Sequence, residues 1–401
     1  MRVELPRKFA AAAGAVAMSE PPLRIVHCFR SPVGGIFRHV ADLVEAQFAA
    51  GHAIGIVCDS NTATAFEEAI LARLAPKLSL GIKRTPMRRQ IAPSDIAATF
   101  RLMRQVRSLD PDILHAHGAK GGAYARVIGT LLRASGSRVA RIYSPHGGSL
   151  HHDAGSLAGR VYFAAERILA RMTDAFIFVS RFEADAYAAK VGKPRKPAVV
   201  VLNGLRPEEF VPVLPAADAR DFLFIGELRD LKGPDVLIRA LALLRDRPGG
   251  APTAVIVGAG EGKERYQAMV RDLGLSDFVS FRDRMPAREA FALARAVVIP
   301  SRAESMPYIV LETIAAGVPI ITTRVGGIPE IFGPDADRLL PPGEVEALST
   351  ALARVLASPA EARAEAGRLR DRTRPLFSIA AMSAAITSVY RQVTVQRAAR
   401  E

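Results

Sequence analysis

Two glutamates separated by seven residues are the strongest chemical signal in the chain. Glu304 follows AVVIPS, an apolar run typical of a buried strand, and Glu312 lies inside the helix that the next residues predict. Open parallel sheets bind ligands at the carboxyl ends of their strands, and a helix N-terminus there offers N–H groups to a diphosphate. Glu304 could then bind sugar hydroxyls, and Glu312 a ribose. Alone, the pair is equally compatible with two solvated acids on a surface loop and helix.

Cations and glycine turns accompany this pair in the sequence. Lys232, or Arg229 before it, can neutralise the negative charge that gathers on a departing diphosphate. The Gly34–Gly35 turn allows a backbone to approach the same phosphates closely. The amides expected at the diphosphate belong to three residues that lie between the two glutamates: Ser305, Met306 and Pro307.

The elements that must position these residues form two successive α/β series. The first begins with the strand-like run LRIVHCF, a glycine turn and the helical stretch IFRHVADLVEAQFAAG, and strands and helices then alternate as far as Gly204. Residues 207–221 are rich in proline and lose this periodicity, so we interpret them as a linker to a second alternating series. Two such series predict an α/β protein with two Rossmann-like domains facing a cleft.

The formal net charge of +14 would suit an anionic partner, such as nucleic acid, anionic lipid or a phosphorylated substrate. Nucleic acid is disfavoured because Trp is absent and aromatic residues are only 6% of the chain. No window approaches the roughly 18 apolar residues of a membrane span. The two cysteines, Cys28 and Cys58, lie in strand-like runs, which predicts buried, reduced thiols in a cytosolic protein.

A basic segment between residues 83 and 107 is opposed by one acid, Asp95. Four apolar side chains recur in it at helical spacing, and we expect this stripe to pack in the core while the cations attract an anionic membrane surface. The alternative is an ordinary Rossmann helix whose arginines are in water. The cations are Lys83, Arg84, Arg88, Arg89, Arg101, Arg104 and Arg107, and the apolar residues are Ile96, Phe100, Met103 and Val106.

The histidines lie at or before position 152. His146 occupies a glycine loop after a strand, and His115 and His117 flank Ala116 at the end of another. A metal site from His115, His117, His151 and His152 is one interpretation. Since no cysteine or acidic cluster completes it, we predict neutral loop histidines and no metal site.

The motifs, from Leu23 to about Phe332, resemble those of the retaining glycosyltransferases of family 4, which have the GT-B fold. The order and spacing of the Glu-x7-Glu element, the following Gly-Val-Pro and the later Gly-Gly-x-Pro-Glu support the resemblance. It implies sugar transfer from a nucleoside diphosphate donor with retained anomeric configuration, and neither a metal nor another cofactor. It also implies that Glu304 and His146 contact the donor sugar, Glu312 the ribose and Lys232 the diphosphate.

The domain prediction follows from the same resemblance. An acceptor-side Rossmann-like domain is expected over residues 22–206 and a nucleotide-sugar-binding domain over 207–375, with a helix at 376–397 packing back on the first domain. Residues 1–21 have a basic start but a weakly apolar Ala-rich stretch, so we expect a disordered extension, or a start codon placed too early with Met18 as the real one.

Two positions depart from the family pattern. Glu227 stands after Gly226, where the family commonly has Arg, so either Arg229 replaces that cation or the donor site is weakened. Ser305–Met306 stand where the family often has Phe-Gly, which predicts a cleft shaped for a different sugar.

The expected function is therefore transfer of a sugar to a hydroxyl of a lipid-linked glycan or a cell-surface polysaccharide or lipopolysaccharide precursor, by a cytoplasmic protein peripherally bound to the inner face of the plasma membrane. Its partners would be a nucleotide sugar, that acceptor and anionic lipid, and not nucleic acid. Alternatives on the same architecture are a sugar-nucleotide epimerase, an oligosaccharide phosphorylase and a non-catalytic binding protein. A nicotinamide oxidoreductase is disfavoured, since Gly34–Gly35 is no G-x-G-x-x-G fingerprint.

Overall fold

The computed structural model describes residues 21–88, 93–247 and 250–398. The predicted N-terminal extension, apart from residue 21, lies outside the described residues, as does Arg89 of the basic segment.

The first domain is built on a seven-stranded parallel sheet with the order β3-β2-β1-β4-β5-β6-β7. Its strands are mostly continuous apolar runs because helices cover both faces. The strand order reverses between β1 and β4, which opens a crevice at their carboxyl ends. The strands are β1 (Arg24–Phe29), β2 (Ala53–Asp59), β3 (Gly81–Thr85), β4 (Ile113–His117), β5 (Ala140–Ser144), β6 (Ala175–Phe178) and β7 (Ala198–Val200).

Six helices connect these strands in two layers. The first two pack in one core cluster, and the other four pack in the cluster on the opposite face of the sheet. The helices are α1 (Gly34–Ala49), α2 (Ala65–Leu74), α3 (Ser94–Arg107), α4 (Gly118–Ala134), α5 (Leu157–Arg171) and α6 (Arg181–Lys190).

The second domain contains a five-stranded parallel sheet with the order β10-β9-β8-β11-β12. Its strands are β8 (Arg220–Ile225), β9 (Ala254–Val257), β10 (Val279–Arg282), β11 (Ala294–Ile299) and β12 (Ile320–Thr322). The helices that follow are α7 (Pro234–Leu243), α8 (Lys263–Asp272), α9 (Ala287–Phe291), α10 (Tyr308–Ala315), α11 (Ile328–Phe332), α12 (Val345–Ala357), α13 (Pro359–Thr373) and α14 (Ile379–Ala398). The predicted fold class, two Rossmann-like domains of parallel α/β structure, is confirmed.

The last helix, α14, returns to the first domain. Its residues Met382, Ile386 and Tyr390 are buried in the core cluster that also contains β1, β2 and α1. The connection between the domains has a short 3-10 turn at Pro207–Phe210, after which the Val213 N–H donates to the Ala316 carbonyl at 2.9 Å. The prolines there remove N–H donors, which explains the loss of periodicity. Among the described residues, no helix is long and apolar enough to cross a membrane.

The apolar stripe predicted on α3 does not pack entirely in the core. Ala98, Leu102 and Val106 face the core, whereas 66% of Ile96 and 52% of Phe100 are exposed. The expectation was wrong for these two residues because α3 contacts its neighbours along the line of Ala98 and Leu102, which lies on a different side of the helix.

Gly121 sets the distance between α4 and β1. A Cβ atom at this position would lie 2.5 Å from the Phe29 Cα, so only glycine allows the helix to pack this closely on the strand. The same helix begins directly after β4, at the edge of the sheet where the crevice opens. Gly121 therefore helps to position the carboxyl ends of β1 and β4.

We expect Gly121→Ala to lower the free energy of unfolding by about 1–3 kcal/mol, the usual cost of overpacking a core. Gly367→Ala in α13 is the matched control, because a Cβ there meets nothing within 4 Å, and it should stabilise by roughly 0.5–1 kcal/mol. Urea unfolding of both variants measures the difference. Equal effects at the two glycines would contradict the close-packing role of Gly121.

Candidate active site

A cavity of about 450 Å³ lies between the two domains. This volume falls within the range of small-molecule sites. The first domain contributes Gly147, Leu150, His151, Phe182, Glu183, Ala186 and Lys190, and the second contributes Arg302, Ala303, Glu304, Ser305, Arg324, Val325 and Gly326.

Glu304 follows β11 and reaches the cavity with 7% of its side chain exposed. The Lys232 Nζ donates to both of its carboxylate oxygens, at 2.6 and 2.8 Å, and the Ser301 hydroxyl donates to Oε1 at 2.7 Å. The structure thus brings together two of the predicted site residues as a largely buried ion pair, which holds the carboxylate in one orientation.

Glycine makes this pairing possible. Lys232 ends a 3-10 turn after β8, and Gly233 next to it adopts φ +71°. A Cβ on Gly233 would lie 2.1 Å from the Pro300 carbonyl oxygen, so glycine alone allows the turn to reach the end of β11. Another glycine turn, at Gly326, packs against the backbone of Glu304. Gly326 has φ +60°, and a Cβ there would lie 2.0 Å from the Glu304 carbonyl oxygen.

Arg229 and Glu227 form an ion pair of 3.0 Å between Arg229 Nε and Glu227 Oε2. Glu227, which stands where the family commonly has Arg, therefore partly neutralises Arg229, the cation predicted to replace that arginine. Neither residue lines the cavity, but both cations, Arg229 and Lys232, lie close enough to His151 to lower its pKa.

The segment predicted to bind the diphosphate contacts the first domain. The Ser305 hydroxyl donates to Glu183 Oε1 at 3.0 Å, and Asn203 Nδ2 donates to the Met306 carbonyl at 2.9 Å. Pro307 is the N-cap of α10 and has no N–H, so its predicted contribution of an amide was wrong. The amides available at this turn belong to Ser305, to Met306 and to the first residues of α10.

Glu312, predicted at the ribose, contacts the first domain through Arg38. The Arg38 Nη1 donates to Glu312 Oε1 at 2.7 Å, and the same guanidinium binds Asp42 and Glu209, each at 2.7 Å. Burial raises the pKa of Glu312 to about 7, and the Arg38 charge opposes this rise. In this conformation the predicted ribose ligand already has a cationic partner across the cleft.

The Gly34–Gly35 turn opens α1 opposite the N-terminus of α10. Gly34 adopts φ +68°, and a Cβ on Gly35 would lie 3.8 Å from the Tyr308 ring. Tyr308 is buried, and its hydroxyl lies 3.2 Å from His39 Nδ1. The two glycines thus adjoin the predicted diphosphate segment but do not line the cavity.

His146 and His151 lie on the same loop after β5 but occupy different environments. His146 has φ +52° and does not line the cavity, whereas His151 lines it. Gly147 between them adopts φ +78°, and a Cβ there would lie 2.4 Å from His151 Nε2. Burial lowers the pKa of His151, and the nearby Glu304 carboxylate acts in the opposite direction. His151 is the histidine of this loop that faces the predicted donor residues.

Five buried or half-buried histidines pack against each other below this loop, at the carboxyl end of the first sheet. They are His27, His39, His115, His117 and His146. His115 and His117 are buried within β4, so their interpretation as loop histidines was wrong, and His151 and His152 do not join them. Two sets of three, His27–His115–His117 and His39–His117–His146, place ring nitrogens within 4.8 Å of one another.

Two acids make contacts at the domain interface that the sequence did not predict, Glu183 and the Glu330 that ends the Gly-Gly-x-Pro-Glu motif. Glu183 is buried and accepts hydrogen bonds from the Gly147 and Val179 N–H groups as well as from Ser305. Burial raises its pKa despite these bonds. Glu330 of the second domain accepts from the N–H groups of Arg181 and Phe182 at 2.9 and 2.8 Å, at the start of α6.

A sequence signal existed for one of these acids. Ser180 and Glu183 have the S-x-x-E spacing of a helix N-cap, and the Ser180 hydroxyl indeed accepts from the Glu183 N–H at 3.0 Å. That pattern predicts where α6 begins, but it does not predict a contact with the other domain.

Both halves of the chain match family models of glycosyltransferases. Residues 33–209 match the model of "Glycosyltransferase Family 4", and residues 206–370 match that of "Glycosyl transferases group 1". The structure is similar to that of sucrose-phosphate synthase from Thermosynechococcus elongatus, with a TM-score of 0.73 and 21% identity over 93% of this chain and 99% of that one. At this identity the likeness shows the fold.

Curated relatives match over shorter stretches. The D-inositol 3-phosphate glycosyltransferase of Acidothermus cellulolyticus is 40% identical over 117 residues, which span 26% of each protein. A GDP-mannose-dependent alpha-(1-6)-phosphatidylinositol monomannoside mannosyltransferase of Mycolicibacterium smegmatis is 31% identical over 259 residues, 59% of this chain and 66% of that protein. The two family models together cover residues 33–370, and the chain belongs to the family 4, group 1 glycosyltransferases with the GT-B fold.

Proposed function

We propose that the protein transfers a sugar from a nucleoside diphosphate donor to a hydroxyl acceptor with retention of the anomeric configuration. The observation that carries the proposal is the Glu304 carboxylate, which Lys232 and Ser301 hold at the wall of the interdomain cavity. A carboxylate held in this way can accept hydrogen bonds from sugar hydroxyls, and the adjoining cation can neutralise negative charge on a departing diphosphate.

In the proposed reaction the diphosphate lies near Lys232 and the amides of Ser305 and Met306. The acceptor hydroxyl attacks the anomeric carbon from the face that the diphosphate leaves, and stabilisation of the leaving group supplies most of the rate. Glu183 is the carboxylate on the opposite wall, but Gly147, Val179 and Ser305 occupy it as hydrogen-bond donors. We therefore propose no covalent glycosyl-enzyme intermediate, and no metal or other cofactor at the diphosphate.

A lipid-linked acceptor fits the charge of the chain and the name of one relative. The mycolicibacterial relative acts on a phosphatidylinositol monomannoside, and the net charge of +14 favours an anionic surface. We propose a lipid-linked glycan or a cell-surface polysaccharide or lipopolysaccharide precursor as the acceptor, at the inner face of the plasma membrane.

The surface that would meet this membrane combines exposed cations with exposed apolar groups. On α3, Arg101, Arg104 and Arg107 are exposed beside the exposed Ile96 and Phe100. Basic amphipathic helices bind anionic interfaces through both kinds of side chain.

Helix α5, which the sequence analysis did not consider, extends this surface on the same side of the sheet. Leu157, Val161 and Ile168 are 77%, 52% and 54% exposed, at a spacing that places them on one helix face. Arg160 and Arg171 are exposed on the same helix. Since α3, α4 and α5 pack in one core cluster, both apolar faces belong to one layer of the first domain.

Nucleotide sugars themselves test the proposed reaction class. A bound donor raises the free energy of unfolding by RT ln(1 + [L]/Kd) and so raises the melting temperature. A thermal-shift screen of UDP, GDP, ADP and TDP sugars should therefore identify one donor. Product analysis then separates the alternatives, because an epimerase converts the donor without an acceptor and a phosphorylase requires free phosphate. Donor binding without turnover under any condition would indicate a non-catalytic protein.

We expect Glu304→Gln to reduce kcat by about 100-fold, because the amide can neither match the charge of Lys232 nor accept at both oxygens. Binding of the free nucleoside diphosphate should change by less than about threefold, since the predicted contact is with the sugar. Glu344→Gln, at an exposed position, is the control. Equal turnover in Glu304→Gln and the parent would remove Glu304 from the site.

We expect Lys232→Ala to weaken donor binding and to lower kcat, each by about tenfold or more, because a charged contact to the diphosphate is lost. Glu227→Arg should leave activity unchanged or raise it, since it releases Arg229 from its ion pair. Steady-state kinetics with the identified donor measure both. A silent Lys232→Ala combined with an inactive Arg229→Ala would assign the diphosphate to Arg229.

We expect the protein to bind vesicles that contain anionic lipid, to ignore zwitterionic ones and to be released by roughly molar salt, because charges are screened within about 8 Å even at physiological salt. Replacing Arg88, Arg101 and Arg104 with Gln should weaken binding about 100-fold, at about 1 kcal/mol for each cation. Transfer to a soluble acceptor should persist.

The matched control removes the same charge from exposed positions of the second domain, as Arg239→Gln, Arg271→Gln and Arg282→Gln. It should leave vesicle binding nearly unchanged. Binding that survives both salt and the first-domain substitutions would point to apolar contact through Phe100 or Leu157. No preference for anionic lipid would contradict the membrane proposal.

A further inference from the structure

A row of three hydrogen bonds connects Gln47 on α1 to His146 on the cavity loop. Gln47 Oε1 lies 2.9 Å from His27 Nε2, His27 Nδ1 lies 3.0 Å from His117 Nε2, and His117 Nδ1 lies 3.0 Å from His146 Nε2. We call these four residues the histidine relay. His27 and His117, the two residues in the middle of the relay, each use both ring nitrogens in these hydrogen bonds.

The three imidazoles of the relay are neutral. Burial lowers the pKa of His27 to about 4 and that of His146 to about 3, and it lowers the pKa of His117 well below its usual value. A neutral imidazole has one N–H donor and one acceptor nitrogen. Each hydrogen bond therefore dictates the direction of the next, and one end determines the tautomer at the other.

Gln47 gives the relay its direction. Its Oε1 can only accept, so His27 carries its proton on Nε2, and the same then holds for His117 and for His146. The reverse direction would place all three protons on Nδ1, which is the less stable tautomer of a free neutral imidazole. The relay thus leaves Nδ1 of His146 with a lone pair.

His146 is the member of the relay that reaches the surface. His27, Gln47 and His117 are fully buried, whereas His146 is half-buried and its neighbour Gly147 lines the cavity. We infer that Gln47, His27 and His117 are positioning residues that fix His146 as a neutral hydrogen-bond acceptor for a hydroxyl group of the donor sugar or of the acceptor. The identity of that hydroxyl rests on the proposed function, but the tautomer does not.

His39 restricts what else this cluster can hold. Asn203 donates its amide to the Met306 carbonyl, so its oxygen faces His39 Nδ1, which must carry a proton. His39 Nε2 then carries a lone pair and has no hydrogen-bond partner among the described residues. His117 belongs to both sets of three histidines, and the relay uses both of its ring nitrogens, so a metal ion at either set would have to break the relay.

Long-range 1H–15N correlation spectra of the wild-type protein at pH 7 test the tautomers directly. We expect Nε2–H for His27, His117 and His146 and an unprotonated Nδ1 for His146. A cationic His146, an Nδ1–H tautomer, or stoichiometric zinc in the purified protein would overturn the relay. Because these spectra do not depend on turnover, an inactive protein with the expected tautomers would contradict the proposed function and still support the relay.

Gln47→Met then removes the acceptor at nearly constant length, with Gln105→Met on α3 as the matched control. Without the Gln47 oxygen, the His146 nitrogen signals should shift towards a mixture of tautomers, and kcat/KM should fall about fivefold, as for one lost hydrogen bond. Gln47→Glu restores an acceptor and should restore the Nε2–H signals. A fall in activity with unchanged His146 signals would show a merely structural role for Gln47 and would overturn the proposal. Unchanged His146 signals with no loss of activity would overturn it as well.

Discussion

The Arg38 guanidinium is the charge on which the relation of the two domains depends. It lies on α1 of the first domain and binds Asp42 on its own helix, Glu209 at the interdomain connection and Glu312 on α10. The Arg38 side chain is half-buried and its three carboxylate partners are largely buried, so removal of the guanidinium would leave uncompensated buried charges. Because the partners come from both domains, the position of α10 relative to α1 is tied to the pairing of this one group.

The pairing of Arg38 with Glu312 also affects the shape of the cavity. Once α10 is held against α1, the segment before it carries Glu304 and Ser305 towards Glu183 and the Gly147 loop. Glu330 closes the same interface from the other side, where it meets the first N–H groups of α6. Polar contacts therefore join the two walls of the cavity. They lie beside a buried apolar contact, in which Val179 of the first domain packs in the same core cluster as Met306 and Ile328 of the second.

The sequence was sufficient to predict the fold and the element around Glu304, and insufficient to predict the contacts that these residues make. Buried parallel strands read as apolar runs and helices as periodic ones, so the two α/β series and the element around Glu304 could be found from local patterns. The pairing of Glu312 with Arg38 joins residues 274 positions apart, and no local pattern encodes it. The register of β1 with β4 places His27 opposite His115, and α1 and the loop after β5 add His39 and His146 to the cluster. The loop interpretation failed because a strand end was expected to lead into an exposed loop, whereas His115 and His117 are fully buried in the last residues of β4.

One helix, α5, belongs to the basic, partly apolar face of the first domain and also contacts the loop that lines the cavity. The outer side of α5 exposes Leu157 and Val161, while its inner side carries Glu166, which binds the buried Arg126 at 2.9 Å and the Tyr143 hydroxyl at 3.0 Å. Ser149 of the cavity loop also reaches Glu166, at 3.4 Å. An ion pair of this kind is rigid, because moving either partner exposes a buried charge. Through Ser149, the buried Arg126–Glu166 pair thus connects α5, whose outer side exposes Leu157 and Val161, to the loop of Gly147 and His151.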